Sequence, residues 1–151
     1  GLSAIKAISA FSRGAINTVS HHSGIGAATP LQVAAAEALL APDAYFDEYT
    51  AEYTERRDVL VEGLNAAGFQ VDPPAGTYFV LANHTPFGFD DDVAFCHHLA
   101  KTCKVVGIPP TAFYAQSNDG QQYVRFAFCK GVETLKNAVE RLQTLRDGVG
   151  V

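Results

Sequence analysis

A chain of 151 residues, 48% hydrophobic and 18% charged, with a formal net charge of −5, has the length of one domain with a sizeable core. Acids and bases are mixed along it, so no basic stripe tracks a phosphate backbone, and no apolar run nears the roughly 20 residues that cross a bilayer. Nucleic acid and membrane are therefore not expected partners. Cys96, Cys103 and Cys129 match no zinc or disulfide spacing, which makes reduced thiols in an intracellular compartment, cytoplasmic or organellar, the expectation.

The opening "GLSAIKAISAFSRGAINTVSH" spaces Leu2, Ile5, Ile8 and Phe11 as a helix does, and the Gly-rich "HHSGIGAATP" reads as a connector. A basic start and a cleavage pattern, the marks of a targeting segment, are missing here. The chain starts without methionine and contains none, so a piece of a longer protein is expected. After Pro30, "LQVAAAEALLA" predicts a close-packed helix, and Pro42, suited to a first helical position, predicts the start of another. Its stripe is Phe46, Tyr49, Tyr53, Leu60 and Leu64, and the helix runs for roughly six or seven turns before Gly68 stops it.

Next, "FQVDPPAGTYFVLA" holds a predicted strand at 77–82, with Gly76 as the turn entering it. The aspartates of "NHTPFGFDDD" are placed to cap the following helix, which carries Val93, Cys96, Ala100 and Cys103 on one side. "KVVGIPP" and "YVRFAF" read as two more short strands. A last helix presents Val132, Leu135, Val139, Leu142 and Leu145, and the tail "RDGVGV" is expected to be loose. Helices first, then strands and helices intermixed without a βαβ repeat, predict an α+β fold. The expected sheet has three to four strands, with helices packed on one face.

In "QQYVRFAFCKG" an arginine sits inside an apolar run. Strand alternation sends Val124, Phe126 and Phe128 to one face and Tyr123, Arg125 and Ala127 to the other. With a tyrosine and an alanine as neighbours, the guanidinium is partly desolvated and requires an anion. Its planar fork suits a carboxylate or phosphate held by two parallel hydrogen bonds. Pattern alone leaves two partners open: one of the sixteen acidic side chains, the commoner arrangement, or a ligand anion.

The other candidates carry less. "SAIK", Ser3 to Lys6, has the spacing of a lysine-activated serine, but no second element accompanies it. Histidines occur at 21–22, 84 and 97–98; adjacent ones on a helix point about 100° apart, so neither pair offers two ligands to one metal. Exposed or core-edge histidines, and no metal, are expected. Cys96 and Cys103 lie on an apolar stripe as small hydrophobes, and Cys129, after a strand, is more accessible; no catalytic thiol is assigned.

"PAGTYFVLA", "VVGIPPTAFY" and "YVRFAFCKGVETLKNAVERL" resemble the C-terminal part of the fold-type I, class I/II pyridoxal-phosphate aminotransferases. The nearest branch is that of the kynurenine–oxoglutarate, glutamine and methionine aminotransferases. "ATPLQVAAAEALLAPDAYFDEYTAEYTERRDVLVEGLNAAGF" resembles the passage leading from that family's large domain into its small one. The resemblance implies that residues 1–30 are a remnant of large-domain helix and connector, 31–147 the small domain and 148–151 a loose tail. It implies that Arg125 binds the α-carboxylate of the substrate, that Phe113 and Tyr114 shape the entrance, and that Gly76 and Tyr78 fall near the same pocket.

It also implies an intact homodimeric enzyme with pyridoxal 5′-phosphate as cofactor. That enzyme would pass an amino group from an L-amino acid of kynurenine, glutamine, methionine or aromatic type to a 2-oxo acid. The family's Schiff-base lysine and the Gly-Trp pair after it have no counterpart here, and Lys6 stands in the wrong context. No residue corresponds to the groups that hold the cofactor's ring nitrogen, ring face or phosphate. No catalytic or cofactor-binding residue is thus assigned, and this chain alone is expected to bind no cofactor and to be inactive. The alternative is a truncated homologue that works as a structural or interaction module. An exposed apolar patch is expected around residues 1 to 40, where a large domain or second subunit would sit.

Overall fold

The computed structural model describes residues 28–115 and 118–147. The predicted opening helix, the connector up to residue 27, Ser3 to Lys6 and the 21–22 histidine pair lie outside the described residues, while Thr29 and Pro30 of the expected connector already belong to a helix. The chain divides into two units after Tyr45. The first contains helix α1, Thr29–Ala38, opened by Pro30 and without a buried side chain. Leu31, Val33, Leu39 and Leu40 are all exposed. Helix α2, Asp43–Ala67, continues into the second unit and ends where Gly68 takes a left-handed φ of 104°. Only the C-terminal part of its predicted stripe is buried: Leu60 and Leu64 are in the core, Tyr53 is half-buried, and Phe46 and Tyr49 are exposed.

Strands β1, Phe79–Asn83, and β2, Tyr123–Ala127, pair antiparallel with Val80 opposite Phe126 and Leu81 opposite Arg125. Among the described residues the ladder has two strands, where three or four were expected, flanked by single bridges from Gln70 to Asn83 and from Ile108 to Arg125. "KVVGIPP" cannot pair further. Lys104 is left-handed at φ 56°, and Pro109 and Pro110 bring no N–H to a ladder. The strand predicted at 77–82 starts late for a related reason: Thr77, not Gly76, takes the left-handed turn, at φ 70°.

Helix α3, Asp92–His98, is capped by Asp91, whose Oδ1 accepts from the Ala94 N–H at 2.6 Å, and it runs on into a π-helical turn, Leu99–Cys103. The larger Phe95 and Leu99 take its core side with Cys96 and Cys103, leaving Val93 and Ala100 exposed. Helix α4, Val132–Leu142, and a short α5, Thr144–Asp147, close the fold, burying Leu135, Leu142 and Leu145. The start of the "RDGVGV" tail is thus helical, and Arg146 Nη1 donates to the Ala66 carbonyl at 2.9 Å.

Val80, Ala82, Val124, Phe126 and Phe128 form one apolar cluster with Leu64, Phe95, Leu99, Leu135 and Leu142 from the helices. Burial of that cluster drives the fold. The opposite sheet face carries Phe79, Leu81, Asn83, Tyr123, Arg125 and Ala127, none fully buried. No helix among the described residues is long and apolar enough to cross a membrane.

Candidate functional site

β2 puts Arg125 on the less buried face of the ladder, half-buried among aromatic rings. The guanidinium carbon lies 4.0 Å from the centroid of Phe79, 5.5 Å from that of Phe113 and 5.8 Å from that of Tyr78. Such stacking holds the charge without neutralising it. Nη2 donates to Tyr78 Oη at 3.4 Å, a long bond, and Nε is buried with no hydrogen-bond partner. The ion pairs of the described residues involve Arg56, Arg57 and Lys136, so no acid among them neutralises Arg125. Of the two partners left open by the sequence pattern, the internal carboxylate is not the one found among the described residues.

Tyr78 and Phe113, expected near Arg125, are there. Gly76 and Tyr78 line a cavity of about 320 Å³ together with Tyr49, Tyr53 and Arg57. Arg125 does not line that cavity; Tyr78 joins the two. Tyr114 is turned toward Gly120, where an added Cβ would come within 3.1 Å of its ring. Phe79, the ring nearest the guanidinium, escapes a reading of the sequence. Alternation along one strand cannot show which residue of its partner lies beside Arg125; only the register does.

His84 is not at the surface or core edge: it is 1% exposed and stacked on Phe95 at 4.7 Å. Its Nε2 donates to the Gln121 carbonyl at 2.9 Å, and Nδ1 is without a partner. Among the described residues no cluster of His, Cys, Asp and Glu is able to hold a metal ion. A carbonyl cofactor needs an amine to hold it, and the described lysines stand away from Arg125. Lys104 and Lys130 line a separate cavity of about 430 Å³, Lys136 pairs with Glu133 at 3.7 Å, and Lys101 sits on the π-helical turn. The described residues therefore do not fit pyridoxal phosphate; Lys6 lies outside them.

Residues 8–142 match the family model for aminotransferase class I and II. The chain is 35% identical to a methionine aminotransferase of Escherichia coli strain K12, over 78% of this chain and 30% of that protein. It is 30% identical to a kynurenine–oxoglutarate transaminase of Dictyostelium discoideum, over 88% of this chain and 35% of that protein. It superposes on the N-succinyldiaminopimelate aminotransferase from Mycobacterium tuberculosis with a TM-score of 0.74 and 39% identity, covering 83% of this chain and 33% of that one. The chain thus spans about a third of the length of the relatives it matches.

Proposed function

The chain belongs to the class I and II aminotransferases, and from that membership we propose that it supplies the carboxylate-binding part of a pyridoxal-phosphate-dependent transaminase, with Arg125 as the group that grips the substrate. The observation that carries this reading is a half-buried guanidinium with rings around it and no acidic partner among the described residues. Desolvation raises the cost of leaving that charge unpaired, and a substrate carboxylate on two parallel N–H groups removes the cost. Phe79 under the guanidinium fixes its plane, and the long bond to Tyr78 is weak enough for an incoming carboxylate to replace. The cofactor, when bound, supplies the chemistry of amino-group exchange; this chain's part is to anchor and orient the amino acid.

The amino donor in this reading is an L-amino acid of kynurenine, glutamine, methionine or aromatic type. The apolar surroundings of Arg125 favour a donor with an apolar side chain; the names of the relatives span methionine, kynurenine and N-succinyldiaminopimelate. The intact enzyme is read as a homodimer, and residues 31–147 as its small domain.

The test is amino transfer to a 2-oxo acid by the intact protein and its R125A and R125K variants. Removing one partner of a charge-assisted pair costs 2–5 kcal/mol, so R125A should lower kcat/KM roughly thirtyfold to several thousandfold. R125K, which keeps the charge and loses the fork, should recover only part of that. Unchanged kcat/KM in R125A would remove Arg125 from the site, and the absence of amino transfer with any of these donors would remove the transaminase reading.

A further inference from the structure

Among the described residues two polar side chains are fully buried, His84 and Asp92, each 1% exposed. Burying such groups costs free energy unless they are hydrogen-bonded, so what they bond to indicates what they are for. Both belong to the stretch from the end of β1 to the start of α3, and both hold segments that frame Arg125.

Asp92 is not needed as a helix cap, because Asp91 already caps α3. Its carboxylate instead reaches nineteen positions along the chain. Oδ2 accepts from the Thr111 backbone N–H at 2.8 Å, and both oxygens lie 2.9 Å from Thr111 Oγ1, which donates to them. Thr111 belongs to the 3₁₀ turn Pro110–Phe113, two residues before the ring that lies 5.5 Å from the guanidinium. Phe113 is 64% exposed, so its own packing cannot fix it; the anchored turn does. His84 holds the entry to β2. Its backbone N–H donates to the Gln122 carbonyl at 3.0 Å and its Nε2 to that of Gln121 at 2.9 Å, while Gln121 Nε2 donates to the Asp90 carbonyl at 3.0 Å.

We propose that Asp92 is a positioning residue for the Arg125 site: it clamps Thr111 so that Phe113 stands against the guanidinium and orients the fork toward a carboxylate, with His84 securing the neighbouring entry to β2. The proposal rests on the carboxylate-binding role of Arg125. Asp92 touches neither the arginine nor a ligand and acts through the turn alone. Its effect is therefore one of orientation, which a merely stabilising buried hydrogen bond would not produce.

The experiment follows the NMR signals of the Arg125 side chain in the protein, in F113L, and in two clamp variants, T111V and D92N. T111V removes only the hydroxyl donor, so it serves if D92N does not fold. In the free protein the ring of Phe113 shifts the Arg125 Hδ resonances, the size of that shift being set by comparison with F113L. T111V and D92N should lose most of it while β2 amide shifts stay put. Titration with 3-phenylpropionate, an apolar carboxylate, should then be roughly two- to fivefold weaker in T111V, the worth of one exposed cation–ring contact. F113L/T111V should be no weaker than F113L.

A full ring-current shift in both clamp variants, or additive losses in the double variant, would overturn the positioning role. Binding of 3-phenylpropionate no tighter than that of the uncharged 3-phenylpropionamide would overturn the Arg125 reading and with it the purpose of the clamp. The ring-current comparison decides separately whether Asp92 places Phe113.

Discussion

Burial pushes the Cys96 thiol up from 9.0 to about 11, and the nearby charge of Asp92 adds to the shift. The folded protein therefore holds that proton more tightly than the unfolded chain does. The contribution of Cys96 to stability is constant below pH 9 and is lost as the pH rises from there toward 11. Denaturation midpoints measured across that window should fall in the native protein and stay flatter in C96A, once its cavity cost at neutral pH is subtracted. Cys96 and Cys103 are buried and Cys129 is exposed, so a chromogenic thiol reagent should titrate one thiol in the native state and the other two after unfolding.

At the scale of elements, α2 approaches α4 closely at Gly63. A Cβ placed on Gly63 would overlap both methyls of Val139, and the contact lies inside α4 rather than at a flexible tip. G63A should cost about 1–3 kcal/mol, the usual range for overpacking a core, and V139A in the same chain should restore part of it, both read by chemical denaturation. The end of α2 at Gly68, the Asp91 cap and the two faces of β2 were legible in the sequence, since each follows from local chemistry: a left-handed glycine, a side-chain acceptor, strict alternation. The third strand was not. "KVVGIPP" has β-rich composition, and its failure depends on Lys104 turning left-handed and on the two prolines meeting the ladder where donors are needed. For the candidate site, Arg125 was legible as a charge in need of an anion, whereas Phe79 and the Asp92–Thr111 clamp depend on register and on contacts between distant segments.

Across the molecule as a whole, the large exposed apolar side chains include Leu31, Val33, Leu39 and Leu40. Since Leu39 and Leu40 are not buried, L39E/L40E should leave the thermal midpoint nearly unchanged, within the roughly 0.5 kcal/mol typical of surface changes. It should also reduce self-association of the chain at high concentration in sedimentation; equal association of both proteins would exclude these leucines as its cause. The pairing of β1 with β2 has a further consequence, in time rather than in space. Its partners, Asn83 with Tyr123 and Phe79 with Ala127, are separated by the whole of α3 and the turn that carries Phe113. A long loop must close before the first ladder bond forms, and that entropy is lost at the barrier. In a refolding experiment the helical signal should therefore recover ahead of the environment of Arg125, making this corner of the protein the slowest to mature.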